Sequence, residues 1–355
     1  MIAALLLAGA LALPDRTAAQ SAPADRLHAA EVTAMVSAGH RFLIDHQNKD
    51  GSFSMVRGMS GNEAPVAVTA LAALSLMAAG NLPDRGEHDR SVKRAIDWLV
   101  DHCAGSGDES GYFQDDRDTV SKMHGHGYAL LALTQAVGMY GSDDAEREQL
   151  ARLRGAIERG VSLIERTQGD FGGWWYEPKK VAEHENSITV CMIQSLRAAR
   201  DVGFHVRSAV INDAIRYVKN SQDTETGKFR YALKDQKTSW ALTAAALSTL
   251  NALGDYGSAV WRKGFEALQR DDPMTGVGEP EPFQEYGALY AAQAYWQGND
   301  QHAFDRWWTG FVAHCAELQR GDGSFPGGDY GAVYGTAIVT LTLQVPLGFL
   351  PIFQR

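Results

Sequence analysis

One short phrase returns along this chain and limits what the chain can become. Its clearest copies run Gln47-Asn48-Lys49-Asp50-Gly51-Ser52-Phe53 and Gln319-Arg320-Gly321-Asp322-Gly323-Ser324-Phe325. Looser copies run from Gln168 through Gly172 and Gly173 to Trp174 and Trp175, and from Gln222 through Gly227 to Phe229. A weaker copy, Gly107 to Phe113, lacks the leading glutamine, and a fifth, Gln269 to Gly278, lacks an aromatic next to its glycine. A glutamine, a few polar residues, a glycine and an aromatic thus recur about every 50 to 60 residues, which marks a repeat architecture. Each part has a physical use. Glycine supplies the positive φ or close approach that a chain reversal needs. The aromatic plugs the space beneath the turn, and the glutamine amide satisfies backbone groups orphaned at a helix end.

Between the phrases the apolar residues fall at helical spacing, and two kinds of helix alternate. Stretches such as Asp89 to His102, Leu150 to Thr167 and Ala259 to Arg270 are charged on one side. Stretches such as Val66 to Ala79, Gly127 to Met139 and Trp240 to Leu253 are rich in Ala, Leu and Thr and almost uncharged. A helix that is apolar all round is buried, while a half-polar one faces solvent. With Leu27 to Asp45 included there are six of each. An open solenoid needs polar caps at its ends; six pairs with apolar inner members close more naturally on themselves. The reading is all-α, an (α/α)6 toroid of six inner–outer helix pairs, with residues 25–355 as a single domain.

Residues 1–24 read as a signal peptide. Ile2 to Leu13 is an apolar run too short for a mature transmembrane helix, and small residues follow it. Export to the periplasm or exterior is the expectation, with no integral membrane segment in the mature chain. The formal net charge of −10 without basic blocks argues against nucleic-acid partners. The cysteines Cys103, Cys191 and Cys315 are odd in number and form no ligand-like cluster, so neither a disulfide framework nor a metal is implied, and no cofactor is expected.

The phrases at Gln47, Gln168, Gln222 and Gln319 resemble the QW-type repeats of the squalene cyclase and protein prenyltransferase β-subunit superfamily. The combination of Gly172 to Tyr176 with Glu185 to Val190, and the ending Tyr334 to Ala337 through Pro351 to Arg355, is similar to an exported bacterial branch of it whose activities are mostly unassigned. The resemblance implies a toroid with a central cavity opening at one end. The chemistry it implies does not transfer. The Asp-x-Asp-Asp acid of the cyclases has its nearest match, in reversed order, at Asp115-Asp116-Arg117-Asp118. The zinc-binding Asp-x-Cys pair of the prenyltransferases is not found in the expected repeat.

In a closed ring, the polar residues that open the inner helices surround one mouth. This collects Asn62, His124, His126, Tyr128, His184, Glu185, Asn186, Trp240, Glu285, Tyr286, Tyr330 and Tyr334. His124 and His126 flank Gly125 in what reads as a loop. Glu185, Glu285 and His126 are the candidates for general acid or base. His124, Tyr128, His184, Asn186, Trp240, Tyr286, Tyr330 and Tyr334 are the candidates for ligand contact. The expected function is the binding of a hydrophobic or extended ligand, a small molecule or polymer end, in the central cavity. The alternatives are a terpenoid-cyclase-like enzyme with an unconventional acid, and a glycan-active lyase or hydrolase. A hydrolase would set Glu185 and Glu285 about 5 to 10 Å apart.

Overall fold

A computed structural model describes residues 27–55, 61, 63–140, 144–276, 278–279, 282–298 and 300–354. Asn62 and the leader lie outside the described residues. Among those described are twelve α-helices: α1 (Ala29–Asp45), α2 (Pro65–Ala78), α3 (Asp89–Asp101), α4 (Lys122–Ala136), α5 (Asp144–Thr167), α6 (Asn186–Asp201), α7 (Ser208–Asn220), α8 (Trp240–Ala252), α9 (Ala259–Arg270), α10 (Gln284–Gln297), α11 (Gln301–Leu318) and α12 (Gly331–Thr342). Each expected helix is present with its ends moved by a few residues. The shift that matters most for the site is α4, which begins at Lys122 and so takes His124 and His126 out of their expected loop.

The two kinds of helix separate as their sequences require. Every residue of α2 is buried, whereas α3 buries only the stripe containing Val92, Ala95, Ile96 and Leu99. The even-numbered helices touch in the order α2, α4, α6, α8, α10, α12, and α12 returns to α2. The odd-numbered helices pack outside them. The result is a closed (α/α)6 toroid.

The repeated phrase is a clamp between successive pairs. Nε2 of Gln47 donates to the Gly51 carbonyl at 2.9 Å and to Ser91 of the next outer helix at 2.9 Å. Gln168 does the same to Gly172 at 2.9 Å and Val210 at 2.8 Å. Gln222 bridges Gly227 at 3.0 Å and Val260 at 2.8 Å. Gln319 bridges Gly323 at 3.0 Å and Met35 at 2.9 Å, which ties the last repeat to the first helix. The turn glycines have φ of +97° at Gly51, +93° at Gly172 and +86° at Gly323, and a Cβ there would strike the backbone of the neighbouring outer helix. In the third copy the turn glycine is therefore Gly172; Gly173 stands where the two clearest copies carry Ser52 and Ser324.

The aromatic of each good copy is fully buried, and its amide has a fixed partner on the inner helix. Phe53, Trp174, Phe229 and Phe325 donate N–H to the hydroxyls of Thr69, Thr189, Thr243 and Thr336, at 2.8, 3.2, 3.1 and 2.9 Å. In the second copy Phe113 meets His126 instead, with its N–H 3.4 Å from Nδ1. That copy, which has no glutamine, is held by Arg166, whose guanidinium donates to the carbonyls of Asp108 at 3.1 Å and Ser110 at 2.5 Å. The fifth copy is not a clamp. Gln269 turns back to Phe265 of its own helix at 3.4 Å, and a Cβ on Gly276 would meet nothing within 4 Å.

The far end of the ring axis is filled. Gln194 Nε2 donates to Gln293 Oε1 at 2.7 Å between α6 and α10. Below them the chain end forms two 3-10 turns, Val345–Leu347 and Pro351–Phe353. Ile352 is fixed from both sides: its N–H donates to Gln135 Oε1 at 3.2 Å, and its carbonyl accepts from Gln297 at 3.1 Å. Cys103, Cys191 and Cys315 are all buried free thiols. No helix among the described residues is long and apolar enough to cross a membrane.

Candidate functional site

At the N-terminal ends of the six inner helices the ring encloses a cavity of about 390 Å³, within the range of small-molecule sites. All six contribute to its wall. Ala67 comes from α2, His124 and Tyr128 from α4, Ser187 from α6, Leu242 from α8, Tyr286 from α10 and Tyr334 from α12. The connecting segments add Tyr176, Tyr231, Phe283 and Tyr330.

Local hydrogen bonding explains how the loop residues arrive there. A two-residue antiparallel pair, Phe229–Arg230 with Thr238–Ser239, folds the segment between α7 and α8 back on itself. The carbonyl of Tyr231 accepts from the Asn186 N–H at 2.8 Å, which lays Tyr231 across the start of α6. The carbonyl of Tyr176 accepts from Met123 N–H at 3.1 Å at the start of α4. The hydroxyls of Tyr176 and Tyr231 then hydrogen-bond to each other at the mouth.

The polar centre of the wall is a chain of three side chains. Glu185 caps α6: Oε1 accepts from the Ser187 N–H at 3.0 Å, and Oε2 accepts from Ile188 N–H at 2.9 Å and from Ser187 Oγ at 2.5 Å. Ser187 Oγ lies 2.9 Å from His124 Nε2. With the carboxylate taking the serine proton, His124 serves as the Nε2–H donor to Ser187. Burial lifts Glu185 to about 7 against the opposing pull of its three donors. Burial also holds His124 down to about 4, so its ring is neutral. Glu185 is fully buried, yet it belongs to the cavity lining together with Ser187 and His124.

His124, Tyr128, Tyr286, Tyr330 and Tyr334 are brought together as expected of cavity residues, and Glu185 lines the same cavity with Ser187 hydrogen-bonded to its carboxylate. The others are placed elsewhere. His126 is fully buried behind α4 and plugs the second repeat beside Phe113, with ring centroids 5.3 Å apart; burial pushes it down to about 3. His184 lies under the third turn, Nε2 3.0 Å from the Val181 carbonyl. Asn186 points sideways to Ser221 Oγ at 2.9 Å and Arg230 O at 3.1 Å. Trp240 donates to Leu268 O at 3.1 Å. Glu285 lines a separate small cleft of about 40 Å³ between α10, α11 and α12, so it does not share the central cavity with Glu185. The acidic run is also outside: Asp115 pairs with Arg117 at 2.8 Å and with His102 at 3.2 Å in an open outer groove. Asp118 accepts from the Ser121 N–H at 2.8 Å just before α4.

Sequence reasoning missed Ser187 and Tyr231. A usable signal was present. The axis-facing residues fall in i, i+4 pairs, His124 with Tyr128 and Tyr286 with Tyr290, as one helix face requires. Residues two apart, such as His124 and His126, face opposite ways.

No protein-family model and no curated protein sequence matches the chain. Solved structures do match it over nearly their whole length. A type II terpene cyclase from Scytonema, solved with geranylgeranyl dihydroxybenzoate, is 15% identical with a TM-score of 0.56, covering 92% of this chain and 99% of that one. A glycosidase solved in complex with glucose is 16% identical with a TM-score of 0.58, covering 91% and 99%. An α-1,6-mannanase of Salegentibacter, solved with α-1,6-mannotriose, is 8% identical with a TM-score of 0.64, covering 90% and 99%. At these identities the shared property is the toroidal fold.

Proposed function

We propose that the protein binds a small lipophilic molecule in its central cavity. The observation that carries this reading is the cavity's wall: tyrosine rings and aliphatic side chains around about 390 Å³, with one hydrogen-bonded polar chain at Glu185, Ser187 and His124. Apolar walls with a few fixed polar groups suit a ligand that is buried for its hydrocarbon and oriented by one polar group. The toroids of the terpene cyclase and the glycosidases hold their ligands in the same kind of fold, which supports the reading by analogy. Export of the chain after removal of residues 1–24, with 25–355 acting as one unit, belongs to the same proposal; mass spectrometry of the mature N-terminus tests it.

The two enzymatic alternatives have less support. Glu185 is the only carboxylate in the described wall, whereas glycoside hydrolysis uses two across the bond. Burial lifts its carboxyl to about 7, but both oxygens are engaged by the cap of α6 and by Ser187, which leaves no free carboxylic O–H aimed at an alkene.

Titration with the neutral dye N-phenyl-naphthylamine tests the binding reading. Its emission should rise saturably with the wild-type protein. Ala67→Trp, which fills the cavity from α2, should abolish the rise while the fold's circular dichroism is kept. Equal emission from both proteins would sink the proposal.

A further inference from the structure

The closed end of the cavity has an unusual composition. Tyr128 is the seventh residue of α4, and Tyr290 is the seventh of α10. In the ring order these helices stand opposite each other. Yet the two phenol groups are close enough to perturb one another's ionisation. They therefore reach inward and meet near the axis, one turn deeper than the mouth. Tyr286 joins them, its ring centroid 4.8 Å from that of Tyr290. Tyr128 and Tyr286 also line the cavity. Each of the three hydroxyls is shut off from solvent, and none makes a well-aligned hydrogen bond to the protein around the cluster. Tyr290 lies close enough to Tyr128 and Tyr286 for the phenols to bond to one another, but an open chain of three hydroxyls leaves one O–H without an acceptor. Buried polar groups are almost always paired, and an unpaired one costs about 1–3 kcal/mol, so the leftover donor calls for an acceptor.

We propose that the floor hydroxyls of Tyr128, Tyr286 and Tyr290 hold the neutral oxygen of a lipophilic ketone or similar carbonyl compound, which enters the cavity with that end first. This rests on the binding reading above and adds the ligand's chemistry and direction.

The donors select the partner. Burial raises all three phenols well above their ordinary range, so each keeps its proton and can donate it. The nearby Cys191 thiol, pushed up to about 12, stays protonated too. A carbonyl oxygen offers two lone pairs to such donors. A carboxylate placed at this depth would lose its hydration, because the lining cation, Lys237, sits at the exposed mouth; an ammonium would do so too, because Glu185 is spent on the cap of α6. A plain hydrocarbon would offer the phenol cluster no acceptor. The hydrocarbon part of the ligand then lies toward Ala67, Leu242 and Phe283 nearer the mouth.

The test compares geranylacetone, a lipophilic ketone, with the hydrocarbon of the same carbon skeleton and with the matching primary amine. Binding to the full chain is measured by displacement of the neutral dye. In the wild-type protein the ketone should bind roughly tenfold or more tighter than the hydrocarbon. Tyr128→Phe and Tyr290→Phe should each reduce that ratio toward one by weakening the ketone, and keep or raise the thermal midpoint of the empty protein. A ratio near one in the wild type, as when water alone fills the floor, overturns the inference, and so does an amine that binds tighter than the ketone. If neither ketone nor hydrocarbon displaces the dye, while Ala67→Trp still removes the dye signal, the carbonyl inference falls and the binding reading stands. If the dye itself is indifferent to Ala67→Trp, the binding reading falls as well.

Discussion

His126 takes the place in the second repeat that a threonine takes in four others: its Nδ1 lies 3.4 Å from the Phe113 N–H, where Thr69, Thr189, Thr243 and Thr336 offer a hydroxyl. A residue that reads in sequence as a candidate acid or base is thus an acceptor for a buried amide. His126→Thr restores the acceptor, whereas His126→Ala removes it and strands the N–H. The alanine variant should be less stable than the threonine variant by about 1–3 kcal/mol in urea unfolding. Dye binding in the central cavity should be the same in both. A large loss of binding in His126→Thr would return the residue to the functional site.

The clamps make a second set of outcomes. Gln168→Ala removes two hydrogen bonds donated by one amide, and the expected loss of stability is about 1–3 kcal/mol. Gly51→Ala should cost more than strain alone. Its φ of +97° is poor for alanine, and the new Cβ would lie 2.5 Å from the Arg94 carbonyl oxygen. By contrast Gly276→Ala meets nothing within 4 Å, so only its φ of +72° opposes it. Chemical unfolding of the three variants should rank Gly51→Ala as more damaging than Gly276→Ala.

Stability should fall in acid. Burial holds His40, His124 and His126 down at about 4, 4 and 3. The unfolded chain therefore binds more protons than the native one below about pH 6.5, and stability is lost as pH drops toward those values. Glu185 acts in the other direction. Its folded value of about 7 lies above the ordinary 4.5, so the native state takes up this proton first, and stability falls as pH rises between the two. The histidines outnumber it, so the urea midpoint should drop from pH 6.5 to pH 4. Glu185→Gln removes the opposing contribution and should make that drop steeper. A shallower drop in the variant would contradict the buried, proton-accepting state of Glu185.

The three cysteines are buried and unpaired, and burial raises each thiol. A thiol reagent should therefore find no reactive cysteine in the folded protein and three after denaturation. Reducing agent should leave the unfolding midpoint unchanged. A protein that gains stability on oxidation would contradict this.

The fold was legible because its signal repeats. Gln47, Gly51 and Phe53 each carry out one task, and Gln319, Gly323 and Phe325 repeat it in register. The threonines that complete each clamp lie eleven to sixteen residues downstream of the aromatic, within apolar helices where a threonine attracts no notice. The site was only partly legible. Position along the chain identified which helix ends form the mouth, but it does not say which side of a helix faces the axis. That depends on rotation by about 100° per residue. Asn186 and Ser187 are adjacent, yet one ties α6 to its outer neighbour and the other lines the cavity. Tyr231 was hidden for another reason: a two-residue strand pair sets its position.

The contact between α12 and α2, together with the amide of Gln319 on the Met35 carbonyl, has a consequence for the order of assembly during synthesis. The first inner helix to leave the ribosome is apolar on every side, and one of its flanks has no neighbour until the last inner helix has been made. For most of translation the nascent chain is an unfinished arc with two uncovered apolar edges. Such a chain calls for a holding factor that covers those edges until the arc can shut, and truncation anywhere before α12 leaves them permanently open to aggregation.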